Sequence, residues 1–175
     1  FRLALPLPLA LLQIRKGFKA GFEGLILLVL LTIALMGPVR GPLVLFPYGL
    51  LAFWLGRSWL KGLSWWISWG IGTLIGLFGF LVRVSVLSIL VGENLWVIIT
   101  RAGYTVLDRF IDFLNLPIVP SLIHVQLMSV FLVAFQELIY VLTLHVLAFW
   151  IFSRLKVPMP EPPQLLHGLV SLDPL

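Results

Sequence analysis

Two stretches of this chain are apolar for longer than a bilayer is thick, and each holds a single charge in its interior. Residues 63–90 read LSWWISWGIGTLIGLFGFLVRVSVLSIL, with Arg83 as the one charge. Residues 121–152 read SLIHVQLMSVFLVAFQELIYVLTLHVLAFWIF, with Glu137 as the one charge. About 20 apolar residues already cross the hydrocarbon core as a helix. Lipid offers backbone groups no partners, so a spanning segment must satisfy its own hydrogen bonds. The chain is therefore expected to be all-α, a polytopic transmembrane helical bundle. A charge inside a span costs several kcal/mol unless it is paired, hydrated or turned to a cavity. Arg83 and Glu137 are thus candidates for one another, either as a lock between helices or as a polar ligand site.

Composition supports this class and removes others. The chain is 61% hydrophobic and 11% charged, whereas a soluble domain carries about 25% charged residues. Seven Trp, three Tyr and thirteen Phe suit a protein with two membrane interfaces, where amphipathic rings gather. The net charge is +5, yet no basic run exceeds Arg15-Lys16, so nucleic acid is not an expected partner. Positive residues instead fall at the ends of apolar segments, where they orient helices. With no cysteine, disulfides, thiol catalysis and cysteine metal sites are excluded.

Five apolar segments mark spans or parts of spans, near residues 3–14, 20–36, 43–56, 63–90 and 121–152. The first is short and broken by Pro6 and Pro8; with Phe1 at the start it reads as the remainder of a longer N-terminus. The third is marginal, with Pro47 near its start, and follows a Gly-Pro turn at 37–42. It reads as a full span that borrows the turn, or as a broken helix among the others. Residues 95–113 differ: Arg101, Thr105, Asp108 and Asp112 form one helical stripe on an otherwise apolar segment. That pattern is an amphipathic helix lying in the membrane interface, or a span whose polar stripe packs inward. The positive-inside rule favours the interfacial reading. It puts the connections bearing Arg15, Lys16 and Lys19, then Arg57 and Lys61, then Arg154 and Lys156, on the inner side. Residues 157–175 form a proline-rich inner tail, expected to be extended, with a short apolar piece at 165–172.

Within residues 63–90, Gly72 and Gly76 have GxxxG spacing, with Ser68 one step earlier and Gly79 nearby, and together they make a small-residue stripe. Such a stripe lets helices approach closely, inside one chain or against a partner. His124 and His145 lie 21 residues apart, too far along one helix to share a metal, so no metal site is expected. A single His as a pigment ligand remains the less favoured reading beside one hydrogen-bonded to its neighbours, and no cofactor is identified. Asp108 and Asp112 read as a solvated helix face. No catalytic signature is present, so the chain is expected not to be an enzyme.

Several pieces carry a family likeness: Gly37-Pro38-Val39-Arg40, Phe46-Pro47-Tyr48-Gly49-Leu50-Leu51, Gly79-Phe80-x-x-Arg83, Gly92-Glu93-Asn94-Leu95-Trp96 and the prolines from Pro158 to Pro163. On these the chain resembles the YybS-like polytopic membrane proteins, with the cyanobacterial form most similar. That resemblance implies a thylakoid or plasma membrane, in a cyanobacterium or plastid. The family in turn is similar in span pattern to the substrate-binding S components of energy-coupling-factor vitamin transporters. This implies six helices, the first incomplete or missing here, holding a small molecule near the outer face, with the 95–113 helix as a lid. The expected function is a non-enzymatic membrane subunit that binds or passes a small molecule. The alternative is an accessory or assembly subunit of a larger thylakoid photosynthetic complex. Expected partners are the lipid bilayer, other membrane subunits and a small-molecule ligand.

Overall fold

A computed structural model describes residues 5–114 and 121–171. All of its regular structure is helical, and four stretches are long and apolar enough to cross a membrane: Phe18–Met36, Gly41–Leu60, Trp65–Val91 and Leu122–Arg154. The protein is an all-α transmembrane helical bundle.

Helix α1 (Pro6–Lys16) begins on prolines, which the first turn tolerates because its N–H groups have no helical partner, and closes on Arg15 and Lys16. The expected start of this segment at Leu3 lies outside the described residues. A single residue, Gly17, separates it from α2 (Phe18–Met36). Its φ of 90° lies in the region that favours glycine, so the chain reverses there without strain. Gly37 ends α2 in the same way at φ 89°. The expected helix at 43–56 is a broken one. A four-residue turn, α3 (Arg40–Leu43), leads into a π-type turn at Leu45–Gly49, and Phe46 leaves helical geometry at φ −114°, ψ 117°. The Phe46–Pro47 peptide is cis. Helix α4 (Leu50–Leu60) follows, then α5 (Trp65–Val91), α6 (Leu95–Phe113) and α7 (Leu122–Arg154). At 33 residues α7 measures roughly 50 Å, so it tilts or projects from the hydrocarbon layer. In the tail, Pro163 is extended, but Gln164–Leu166 forms a 3-10 turn and α8 (His167–Val170) follows. The apolar tail piece is therefore helical as far as it is described; its end at Leu172 lies outside the described residues.

The chain divides into two compact units, Phe1–Phe80 with Glu137–Leu175, and Leu81–Gln136. In the first, α1 packs against both α2 and α4. Its core gathers Leu7 and Ala10 of α1, Leu51, Leu55 and Trp59 of α4, and Val141, Leu144, Ala148 and Phe152 of α7. Leu9, Leu25 and Ala52 form a smaller cluster. The outer faces stay apolar: Leu35 of α2 is 75% exposed and Leu74 of α5 is 64% exposed. In water so much bare apolar surface would drive aggregation; against lipid tails it is the natural surface.

In the second unit Ser88 Oγ accepts the Leu95 N–H at 3.1 Å, and Asn94 Oδ1 accepts the Val97 N–H at 3.3 Å. These bonds satisfy donors that the first turn of α6 leaves unpaired. Thr100, Ile111 and Val125 are buried in this unit. Around α6, Arg101, Thr105 and Asp112 are exposed, and so are Ile98, Ile99, Val106 and Phe113.

Candidate functional site

Polar groups in the first unit concentrate where α4, α5 and α7 meet. Ser58, Ser68 and His145 are each 0% exposed, and buried polar groups of this kind must find partners. The imidazole Nε2 lies 2.9 Å from Ser68 Oγ, which lies 2.8 Å from Ser58 Oγ. Ser58 Oγ is 2.9 Å from the Leu55 carbonyl, and His145 Nδ1 is 2.8 Å from the Val141 carbonyl. The chain of bonds thus begins and ends on helix carbonyls. Indoles wall it: Trp59 stands perpendicular to the imidazole at 5.5 Å and Trp65 is tilted at 5.4 Å. Trp54 donates to the Ser68 carbonyl at 3.0 Å, Trp69 to the Leu138 carbonyl at 2.8 Å, and Trp65 to the Pro160 carbonyl at 2.9 Å. The last bond ties the proline-rich tail to the start of α5.

The small-residue stripe is the surface on which α5 meets its neighbours in this unit. Ser68, Gly72, Gly76 and Gly79 are all buried. A Cβ at Gly72 would lie 2.8 Å from Val141 Cγ1 of α7. One at Gly76 would lie 2.5 Å from Glu137 Oε2, and one at Gly79 would strike Pro47 of the π-type turn. Glu137 is 9% exposed, so its carboxylate is lodged against bare helix backbone at Gly76. Arg83 is half-buried and belongs to the second unit, on the continuation of α5.

The second unit holds an open cleft of about 780 Å³ between the end of α5 and the start of α6. Leu81, Val84, Ile89, Trp96 and Val130 give it apolar walls, and Ser85, Ser88, Glu93 and Asn94 supply polar groups. Its size falls within the range of about 300–1,000 Å³ usual for small-molecule sites. The remaining polar residues singled out in the sequence lie elsewhere. His124 is exposed and bonds through Nδ1 to Ser121 Oγ at 2.5 Å. His167 Nε2 is 3.2 Å from the Pro162 carbonyl. Asp112 is exposed on α6 and Asp108 half-buried.

Sequence reasoning did not single out Ser58 or the cleft residues Ser85 and Ser88, and Trp96 entered it as the end of the family motif at 92–96. Ser58 lies between Arg57 and Lys61 and reads as an interface residue; only the packing of α4 turns it inward. The turn Gly92-Glu93-Asn94 was a visible signal for the cleft, since a polar break between two apolar helices leaves room beneath it.

The family described as "Predicted membrane protein (DUF2232)" matches residues 1–115. The chain belongs to this family. The match takes in α1 to α6 and thus most of both units, while α7 and the tail lie beyond it. Membership agrees with the four apolar helices and makes this an integral membrane protein in contact with the lipid bilayer. No curated protein and no solved structure matches the chain.

Proposed function

We propose that this protein is a non-enzymatic membrane subunit, similar to an S component, that binds or passes a small molecule through the cleft at the outer end of α5. The cleft carries the reading: it has the volume of a small-molecule site, apolar walls and a few convergent polar groups, the usual composition of such sites. Trp96 supplies a rigid aromatic wall, and α6 begins at the cleft's rim, where a lid would have to hinge. Both the charged stripe and part of the apolar surface of α6 are exposed. That double exposure suits a helix lying between lipid and water, covering a site that opens to the outer face. A thylakoid or plasma membrane of a cyanobacterium or plastid is the setting proposed from the family texture of the sequence.

The test is native mass spectrometry of the protein released from gently extracted membrane, beside Val84→Trp, which fills the cleft, and Trp96→Ala. A small molecule retained by the wild type and lost from both variants supports the proposal. Wild-type protein that carries only bilayer lipids, with vitamin uptake unchanged on deletion of the gene, refutes it. Migration within a large photosynthetic assembly on native electrophoresis would favour the accessory-subunit reading instead.

A further inference from the structure

The hydrogen-bond chain through Ser58, Ser68 and His145 contains four close contacts. They join Val141 O to Nδ1 at 2.8 Å, Nε2 to Ser68 Oγ at 2.9 Å, Ser68 Oγ to Ser58 Oγ at 2.8 Å, and Ser58 Oγ to Leu55 O at 2.9 Å. Each needs one proton. A neutral imidazole brings one and the two hydroxyls one each, so three protons serve four contacts. Both ends of the chain are carbonyl oxygens, which only accept. With the ring proton on Nδ1, the Val141 contact is filled and Ser68 donates to Nε2. The Ser58 proton then serves Ser68 or Leu55, and the other contact stays empty. With the ring proton on Nε2, donation runs unbroken to Leu55, but the Nδ1 lone pair confronts the Val141 oxygen. One further proton fills every contact: Nδ1–H to Val141, Nε2–H to Ser68, Ser68 O–H to Ser58, Ser58 O–H to Leu55.

We infer that this chain is a buried binding site for one proton, taken up on His145 Nε2. The step forms one N–H bond at Nε2 with a proton supplied by hydronium. Hydronium is left as water, the Ser68 hydroxyl turns from Nε2 to donate to Ser58 Oγ, the Ser58 hydroxyl donates to the Leu55 carbonyl, and the site gains one positive charge. The Val141 carbonyl dipole at Nδ1 favours that charge; the indoles of Trp59 and Trp65 stand 5.5 and 5.4 Å from the ring. Among the described residues, the groups in contact with the ring are Trp59 of α4, Trp65 and Ser68 of α5 and the Val141 carbonyl of α7, with Ser58 one hydrogen bond further on, and these are uncharged. On its own helix, Tyr140 and Glu137 precede His145 by five and eight residues, the latter about 12 Å away along the axis. The neutral Nδ1–H ring, with Ser68 donating to Nε2, is the resting form, and the further proton converts it to the imidazolium.

Ser58→Ala separates proton counting from simple packing. Without the Ser58 hydroxyl, the neutral Nδ1–H ring and Ser68 satisfy each other fully, and the advantage of a fourth proton is gone. The experiment follows histidine ¹⁵N shifts against pH in protein reconstituted in lipid nanodiscs, with the His145 signal assigned by its loss in His145→Gln. In the wild type an Nδ1–H tautomer is expected at neutral pH, converting reversibly to imidazolium with the fold intact. In Ser58→Ala the same tautomer is expected, with the midpoint lower by about one pH unit, the equivalent of one ordinary hydrogen bond. Ser58→Cys, whose thiol donates weakly, is a second variant with the same expected direction. A ring that stays neutral until the fold is lost, an Nε2–H tautomer at neutral pH, or one midpoint shared by wild type and variants overturns the inference.

Discussion

Replacing Gly79 with alanine tests the packing of α5 against the broken helix that precedes α4. A methyl group there would strike Pro47, with the proline Cα at 2.7 Å and its N at 2.8 Å. Both are backbone atoms of a residue with a fixed φ, so no rotamer change relieves the clash. Overpacking of this kind costs about 1–3 kcal/mol, and the absence of a movable side chain argues for the upper half of that range. Gly70 on the same helix is the control, because a Cβ there meets nothing within 4 Å. Alanine is the better helix former by about 1 kcal/mol in water. That gain largely cancels here, since α5 stays helical in lipid whether or not it touches its neighbours. Gly70→Ala should therefore be close to neutral and Gly79→Ala destabilising by about 2–3 kcal/mol, a factor of about 30–150 in the unfolding equilibrium. Reversible unfolding in mixed micelles of mild detergent and dodecyl sulfate reads both variants against wild type. Equal stability of the two variants would refute the contact between Gly79 and Pro47.

Gln13 Oε1 is buried with no hydrogen-bond partner among the described residues. Gln13→Met, of similar length, removes an unsatisfied acceptor and should hold or raise stability by about 1 kcal/mol in the same assay; a loss of more than that would mean the oxygen is bonded. Trp65→Phe keeps a ring but deletes the 2.9 Å bond to the Pro160 carbonyl, so tryptic cleavage after Lys156 should become faster while the rest of the protein resists. An unchanged cleavage rate would show that this bond does not secure the tail. Asn94→Cys and Lys61→Cys should label from opposite membrane faces with an impermeant reagent, and labelling from one face would overturn the topology expected from the positive-inside rule. Lys61 is preferred to its neighbour Gly62, whose φ of 64° a cysteine would strain.

The transmembrane class was legible because lipid is an undemanding solvent for side chains and a severe one for backbone. Apolar length alone announces a span, and the runs holding Arg83 and Glu137 needed no knowledge of neighbours to be read. The range of α6 was equally visible, because a charged stripe on an apolar helix is a property of the segment itself. What the sequence left open around Pro47 was a choice between two acceptable backbones. Proline forbids a regular helix there without specifying the break, and the resolution into α3, a π-type turn and α4 depends on how closely α5 approaches. Gly79 permits that approach, yet nothing in its spacing from Gly76 and Gly72 names Pro47 as the surface it meets.

The polar core was illegible for a related reason. Ser58, Ser68 and His145 lie 10 and 77 residues apart in sequence, and each alone resembles the scattered hydroxyls and imidazoles that helices in lipid accommodate by bonding to their own backbone. Thr32, Thr73 and Thr143 do this, each donating to the carbonyl four residues earlier. Two features set the core apart, and only three dimensions supply them: complete burial, and contacts that outnumber the available protons. Arg83 and Glu137 drew attention in the sequence because a formal charge is conspicuous in an apolar run. A neutral chain of hydroxyls and imidazole carries no such flag.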